Sequence, residues 1–319
     1  MPNGIKIFGG RANPKLTADI CAHLGVPVGQ INLKEFADNE LYPHITENVR
    51  GADVFLIQPT CAPVNTNLME LMLMVNAARL ASAKRVTAVL PYYGYARQDR
   101  KDRPRVPISA KVVADMLQSQ KIKRLLTMDL HSAPIQGFFN IPVDHLYALP
   151  VLIDYIKTWD LSKVTIVSPD AGGTTRARLL AMKLGVPLAI IDKYREAANV
   201  SEVMHIIGDV KGRDCLMVDD MIDTAGTLVK GAEALKKAGA RAVGAAATHG
   251  LLSYDEKAGI SAIDKIERSV LEEVILMDTI PQEKNLQHTS KIKVLSVAKI
   301  FADAIYAVHN NESVSGLFV

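Results

Sequence analysis

The two halves of this chain repeat each other, and that repeat limits the folds open to it more than any other feature. The segment CAHLGVP at 21–27 returns as AMKLGVP at 181–187, and VRGADVFLI at 49–57 returns as VKGRDCLMV at 210–218, both displaced by about 160 residues. A third pair, RVTAVLPYYG at 85–94 and AVGAAATHG at 242–250, follows in the same order with a slightly smaller displacement. Three matches in one order argue for duplicated domains; chance likeness between helix–strand units of similar composition is the competing account. Short apolar runs alternate with helical periods in each round. Residues 5–8, 53–58, 86–90 and 125–130 read as strands, and 14–25, 67–81 and 108–118 as helices. The second round opens with a strand at 164–168, a helix at 174–184 and a strand at 188–191. Such alternation is the mark of parallel α/β sheets. The pattern predicts two duplicated α/β domains, 1–149 and 150–319, each a mainly parallel sheet flanked by helices; a final helix near 296–309 fits against either one.

A chain of 319 residues with 49% apolar content can bury the cores of two such domains. Its formal charge of +3, from 37 basic and 34 acidic groups, is not the concentrated positive surface of a nucleic-acid or membrane binder. Cys21, Cys61 and Cys215 lie in apolar surroundings without metal-ligand spacing, as expected of buried thiols in a reducing compartment. The N-terminal MPNGIKIFGG is no apolar signal segment and no run of about 18 apolar residues occurs, so a cytoplasmic location is expected.

The richest chemistry lies at 215–227, CLMVDDMIDTAGT, where an apolar run meets three acids and a small-residue turn before the helical LVKGAEALKKAG. This reads as a parallel strand, a binding loop and a helix N-terminus, the edge at which α/β sheets hold ligands. Thr224, Ala225, Gly226 and Thr227 offer hydroxyls and free backbone N–H groups, a phosphate cradle that needs no lysine. Asp219 and Asp220 at the strand end suit sugar hydroxyls or a hydrated metal. A solvated Asp-rich loop is the plain alternative. The matching loop of the first copy reads QPTCAPVNTN, without the acids or the turn, so one such site per chain is expected.

Other segments invite both functional and structural readings. In PYYGYARQDRKDRPRVPISAK, tyrosines 92, 93 and 95 interleave with Arg97, Arg100, Lys101, Arg103 and Arg105. Such residues can stack a base and bind phosphate oxygens, line a nucleic acid, or form a solvated loop. Asp129 and His131 flank Leu130 at a strand end, and Asp170 ends a strand in the second round, followed by Ala171, Gly172 and Gly173. The glycines leave backbone open to anion oxygens or simply make a tight turn. Lys193 and Arg195 fall in DKYREAANVSEVMHIIG, which reads as a loop as far as Val203, and by themselves are a solvated charge run. Neither a P-loop nor a GxGxxG follows the first strand, so P-loop kinase and dinucleotide oxidoreductase readings lack their motifs.

Taken together, YARQDR, TMDLH, IQGFF, SPDAGG, DKYR and VDDMIDTAGT resemble the ribose-phosphate pyrophosphokinases, within the type I phosphoribosyltransferase-like fold. The likeness continues through HTSKIKVLSVAKIFADAIYAVHNNESVS. It implies transfer of the diphosphate of ATP to the 1-hydroxyl of ribose 5-phosphate, giving AMP and 5-phosphoribosyl 1-diphosphate. It implies ATP contacts at Arg97, Gln98 and Asp99, and at Phe36, Asp38, Asn39 and Glu40 reaching from a neighbouring subunit. Mg2+ at His131 and Asp170, pyrophosphate contacts at Ala171, Gly172 and Gly173, and a catalytic flap carrying Lys193 and Arg195 are also implied. Ribose 5-phosphate falls to Arg195, Asp219, Asp220, Asp223 and Thr224 to Thr227. The family assembles as homohexamers built from dimers, regulated by phosphate and ADP, with no nucleic-acid or membrane partner.

Other readings have their own signatures. A phosphoribosyltransferase shares the sugar-phosphate loop but releases no AMP from ATP and ribose 5-phosphate. A non-catalytic regulatory homologue lacks catalytic residues, whereas His131, Asp170, Lys193 and Arg195 are all present here. A nucleic-acid-binding module shows salt-dependent retention without turnover. Ala225 stands where close relatives of that family carry glycine, which puts strain on the turn if φ there is positive.

Overall fold

The computed structural model describes residues 4–194 and 203–318. They form two compact units, one within 4–148, 279–281 and 296–318 and the other within 149–194, 203–278 and 282–295. In the first unit β1 (Ile5–Gly9), α1 (Pro14–Leu24), β2 (Ile31–Glu35), β3 (Leu41–Ile45), β4 (Asp53–Ile57), α2 (Val64–Leu80), β5 (Arg85–Leu90), α3 (Ser109–Ser119), β6 (Arg124–Met128) and β7 (Val143–Leu146) follow in order. Among the described residues, β1-β4-β5-β6-β7 make a parallel five-stranded sheet. β2 and β3 form a separate antiparallel hairpin. All five residues of β4 are buried, as its unbroken apolar run requires of a central parallel strand.

The second unit contains α4 (Leu149–Ile156), β8 (Val164–Ser168), α5 (Thr174–Leu184), β9 (Leu188–Tyr194), β10 (Val203–Ile207), β11 (Asp214–Ile222), α6 (Gly226–Lys237) and β12 (Ala242–Gly250). A short hairpin of β13 (Tyr254–Asp255) and β14 (Ile260–Ser261), then α7 (Ala262–Arg268), β15 (Glu273–Met277) and β16 (Ile292–Leu295), complete it. Its described sheet runs β10-β9-β8-β11-β12-β15-β16 and is parallel except at the β10-β9 edge. The segment expected to be a loop as far as Val203 is thus strand through Tyr194, because IIDKY pairs with VMHII across an antiparallel edge. The last helix, α8 (Ala298–His309), which the sequence left open to either domain, packs on α1 and falls in the first unit.

The repeated segments adopt the same hydrogen bonds residue for residue. α1 and α5 both end on a left-handed glycine, Gly25 at φ 66° and Gly185 at φ 67°, with Val26 N–H bonded to Cys21 O and Val186 N–H to Ala181 O. Gly51 and Gly212 turn at φ 72° and 70°, donating to Ser82 O and Gly239 O at 2.9 and 2.8 Å. At the start of β4, Asp53 accepts from Arg85 Nε at 2.7 Å and from its Nη2; at the start of β11, Asp214 accepts from Arg241 Nε at 2.7 Å and from its Nη2. Chance similarity does not reproduce a bidentate clamp and two glycine turns at matching positions.

The two clamps differ in burial. Arg85 also donates to Val308 O of α8, and His309 Nδ1 sits 2.9 Å from Asp53 Oδ2. The Asp53 and Arg85 side chains are 9% and 26% exposed, against 25% and 54% for Asp214 and Arg241. Removing one partner of a buried pair leaves an uncompensated charge, whereas exposed pairs contribute little. Asp53→Asn is therefore expected to destabilise the chain by about 2–4 kcal/mol and Asp214→Asn by about 1 kcal/mol or less, as read by urea denaturation.

Candidate functional site

The sheet of the second unit places its acids on an overhang. β8 pairs with β11 only from Asp214 to Met217, while β12 follows β11 to Ile222. Asp219, Asp220 and the two residues after them thus project past β8. Asp220 is buried and Asp219 half-buried. The Asp220 N–H donates to Asp219 Oδ1 at 2.8 Å, and Arg176 Nη1 from the first turn of α5 lies 3.7 Å from Asp219 Oδ1 and 3.5 Å from Asp220 Oδ1. Burial pushes the Asp219 carboxyl up to about 7, assisted by the neighbouring Asp220 side chain, while the Asp220 N–H and Arg176 pull the other way.

Past Asp223 the chain turns at Ala225, φ 57° and ψ 4°, and enters α6. The left-handed turn raised as a concern for alanine is therefore present. The Ala225 methyl is buried in the same apolar cluster as Ile222, Leu228 and Leu252. No side chain caps α6, so its first N–H groups remain available beside the Thr224 and Thr227 hydroxyls.

At the end of β8, Asp170 Oδ1 accepts the Gly173 N–H at 2.8 Å and the Asp170 carbonyl accepts Ser168 Oγ at 2.6 Å. Ala171 and Gly172 are exposed. Asp170 Oδ2 is not engaged by any described group, which suits a hard cation that keeps several waters. Among the described residues there is no cluster of three or more His, Cys, Asp or Glu, so an ion here would rely on substrate oxygens and water.

In the first unit, Asp129 bends the chain at φ 38°, its N–H bonded to Leu146 O at 3.0 Å and its carboxylate accepting the Ala148 N–H at 3.0 Å. The next N–H, of Leu130, donates to His145 Nε2 at 2.9 Å. These bonds pin the segment to β7 and leave His131 exposed. Phe36, Asp38, Asn39 and Glu40 form the exposed tip of the β2–β3 hairpin, closed by Phe36 N–H to Glu40 O at 2.9 Å, with Asn39 at φ 67°. Asn39 and Glu40 line an open groove of about 520 Å³ with Asn65, Thr66 and Met69 of α2.

Arg97 and Gln98 are exposed and Asp99 half-buried on the connection after β5, anchored where the Ala110 N–H reaches Gln98 O at 3.2 Å. The tyrosines preceding them correct the stacking expectation. Tyr92 and Tyr93 are 5% and 2% exposed, and the Tyr93 hydroxyl donates to Ala110 O at 2.9 Å, so they are core and cannot stack a base. Lys193 occupies β9 opposite Met204 in the register, and Arg195 lies outside the described residues. Burial raises each of the three cysteine thiols to about 11, which makes them poor nucleophiles.

The sequence reading missed Arg176. Its signal was available: a basic residue in the first turn of a helix opposes the helix dipole, and such a placement calls for nearby anions.

Comparison with known proteins spans the whole chain. The family pattern for the N-terminal domain of ribose phosphate pyrophosphokinase matches residues 5–120, and that for the phosphoribosyl synthetase-associated domain matches residues 193–319. A ribose-phosphate pyrophosphokinase of Wolinella succinogenes is 54% identical over 99% of both chains. One from Helicobacter pylori is 52% identical over 99% of this chain and 96% of its own length. The crystal structure of phosphoribosylpyrophosphate synthetase from Mycobacterium smegmatis superposes with a TM-score of 0.89 at 40% identity, covering 97% of this chain and 100% of that one.

Two outcomes follow from the loop. A carboxyl whose folded value is about 7 against an ordinary 3.8 binds more protons folded than unfolded between those limits, so its contribution to stability falls as pH rises through that window. Asp219→Asn should therefore gain stability relative to the parent between pH 4.5 and pH 8 in thermal melts. Because a β-branched residue is strongly disfavoured at positive φ, Ala225→Val should lose about 2 kcal/mol or more, with Ala225→Gly within about 1 kcal/mol of the parent, in chemical denaturation.

Proposed function

This chain belongs to the ribose-phosphate pyrophosphokinase family, and from that premise we propose how its residues divide the transfer of the ATP diphosphate to the 1-hydroxyl of ribose 5-phosphate. It is an enzyme of nucleotide biosynthesis, and its products are AMP and 5-phosphoribosyl 1-diphosphate. The sugar oxygen O1 forms a bond to the β-phosphorus as the bond between that phosphorus and the α-phosphate oxygen breaks, and the hydroxyl proton is lost.

Asp219 and Asp220 hold the ribose 2- and 3-hydroxyls, with Arg176 keeping the paired carboxylates oriented. Asp223 and the turn of Thr224, Ala225, Gly226 and Thr227 take the 5-phosphate on the α6 N-terminus. Two-point attachment fixes O1 relative to the rest of the sugar, which supplies the entropic part of the acceleration. The observation that carries this assignment is the overhang of β11, which sets paired carboxylates and an uncapped helix end in succession.

On the donor side, Arg97, Gln98 and Asp99 contact ATP, and Phe36, Asp38, Asn39 and Glu40 contact the nucleotide of a neighbouring subunit. Exposure of the hairpin tip supports that second role. Ala171, Gly172 and Gly173 receive pyrophosphate oxygens, the first two on exposed backbone and Gly173 from a half-buried position whose N–H is held by Asp170. Asp170 and His131 would hold Mg2+, which when bound neutralises and orders the phosphate oxygens. Lys193 and Arg195 act on the transferred group and the departing nucleotide, where negative charge accumulates, and keep water from wasting ATP.

We further assign a cytoplasmic location and a homohexamer of dimers responsive to phosphate and ADP, with no nucleic-acid partner. No described helix is long and apolar enough to cross a membrane. The reaction is tested by a ³¹P spectrum of the chain with Mg2+, ATP and ribose 5-phosphate. AMP and a new sugar diphosphate are expected; ADP as the main product sinks the diphosphoryl-transfer reading, and no AMP at all points to a transferase or a non-catalytic homologue.

A further inference from the structure

The wall beside the phosphate turn is built by a segment that no motif marked. After β12 the chain doubles back along the turn: Leu251 and Leu252 donate to Ile222 O at 2.9 and 3.2 Å, and Ser253 donates to Asp223 O at 3.1 Å. The Ala262 N–H then returns to Ser253 O at 3.3 Å as α7 begins, with the Ser261 hydroxyl capping that helix at Asp264 N. Leu252, Ala262, Ile263 and Ile266 share one apolar cluster with Ile222, Ala225 and Leu228. The segment is therefore fixed to the turn by both backbone bonds and core packing.

That anchoring delivers one charge to the mouth of α6. The Lys265 ammonium of α7 lies 3.9 Å from the position a Cβ on Gly226 would take, the one group from outside the turn and α6 within 4 Å of it among the described residues. The side chain is 14% exposed and ion-paired with Asp255, which is itself held by the N–H groups of Lys257 and Ala258 at 3.1 Å. An ammonium has three donors, and among the described residues Asp255 accepts one of them. A cation at the N-terminal end of a helix is opposed by the dipole, and an anion placed between the two would satisfy both.

We propose that Lys265 is a further ligand of the ribose 5-phosphate phosphate group, completing with its spare donors the cradle formed by the α6 N-terminus. This rests on the placement of the 5-phosphate at Thr224 to Thr227. Asp255 serves as a counter-ion that holds the ammonium in place and moderates its pull on the substrate.

Steady-state AMP formation by the full chain tests this. Lys265→Met should raise the KM for ribose 5-phosphate by about tenfold or more, with kcat and the KM for ATP changed little, because a charge-assisted bond to phosphate is lost. Lys265→Arg should recover most of the loss, Asp255→Asn should lower the KM, and the parent KM should rise more steeply with NaCl than that of Lys265→Met. An unchanged KM in Lys265→Met, or an equal loss in Lys265→Arg, overturns the proposal. Thr227→Val serves as the control for the turn: if it leaves the KM unchanged, the placement of the phosphate falls and this inference with it. Loss of thermal stability without a KM change in either lysine variant marks a structural ion pair only.

Discussion

The site of the second unit depends on one asymmetry of strand pairing. β11 is gripped on both sides as far as Met217 and on one side only from there to Ile222. Two-sided pairing holds the strand in register, and one-sided pairing leaves a flank where half-buried Asp219 and buried Asp220 face Arg176. β4, at the matching place in the first copy, stops at Ile57 and never forms such a projection. Strand length beyond the shared register thus separates the copy that carries the overhanging acids from the copy that does not.

The first copy shows the same position built into the interior. In the repeat Gln58 stands where the second copy has Asp219. Gln58 is fully buried, its amide bonded to Glu70 Oε1 at 2.9 Å and its carbonyl oxygen accepting the Ala12 N–H at 3.2 Å. Arg11 closes the set, with its Nε 2.6 Å from Glu70 Oε2 and its own N–H 2.8 Å from Oε1. Hydrogen bonds of normal length saturate these polar groups internally. In the second copy the guanidinium of Arg176 stands at 3.5 and 3.7 Å from the two carboxylates, at ion-pair separation rather than in a close hydrogen bond.

Much of this was legible in the residues because it is local. The glycines that end α1 and α5 and the strand-to-helix turn at 223–227 are each dictated by backbone demands a few residues wide. The β2–β3 hairpin escaped notice because INLKE and LYPHI are five residues each and without a fully buried position, too short for their alternation to stand out. The tyrosines at 92 and 93 were misread because an aromatic next to arginines suggests stacking, whereas chain direction at the end of β5 turns them into the core.

The sequence by itself determined the duplication, the parallel α/β class, the family and the turn that marks the acceptor site, since periodicity, turn chemistry and short motifs are properties of neighbouring residues. Only the tertiary structure decided which distant groups complete those features. It returned α8 to the first unit, where its last turn reaches Asp53 and Arg85. It set Arg176 across from the paired acids, pinned residues 129–131 to β7 through His145, and laid Lys265 against the mouth of α6. Each of these is a meeting of side chains from separate elements, fixed by packing and register, and no local pattern encodes which elements will meet.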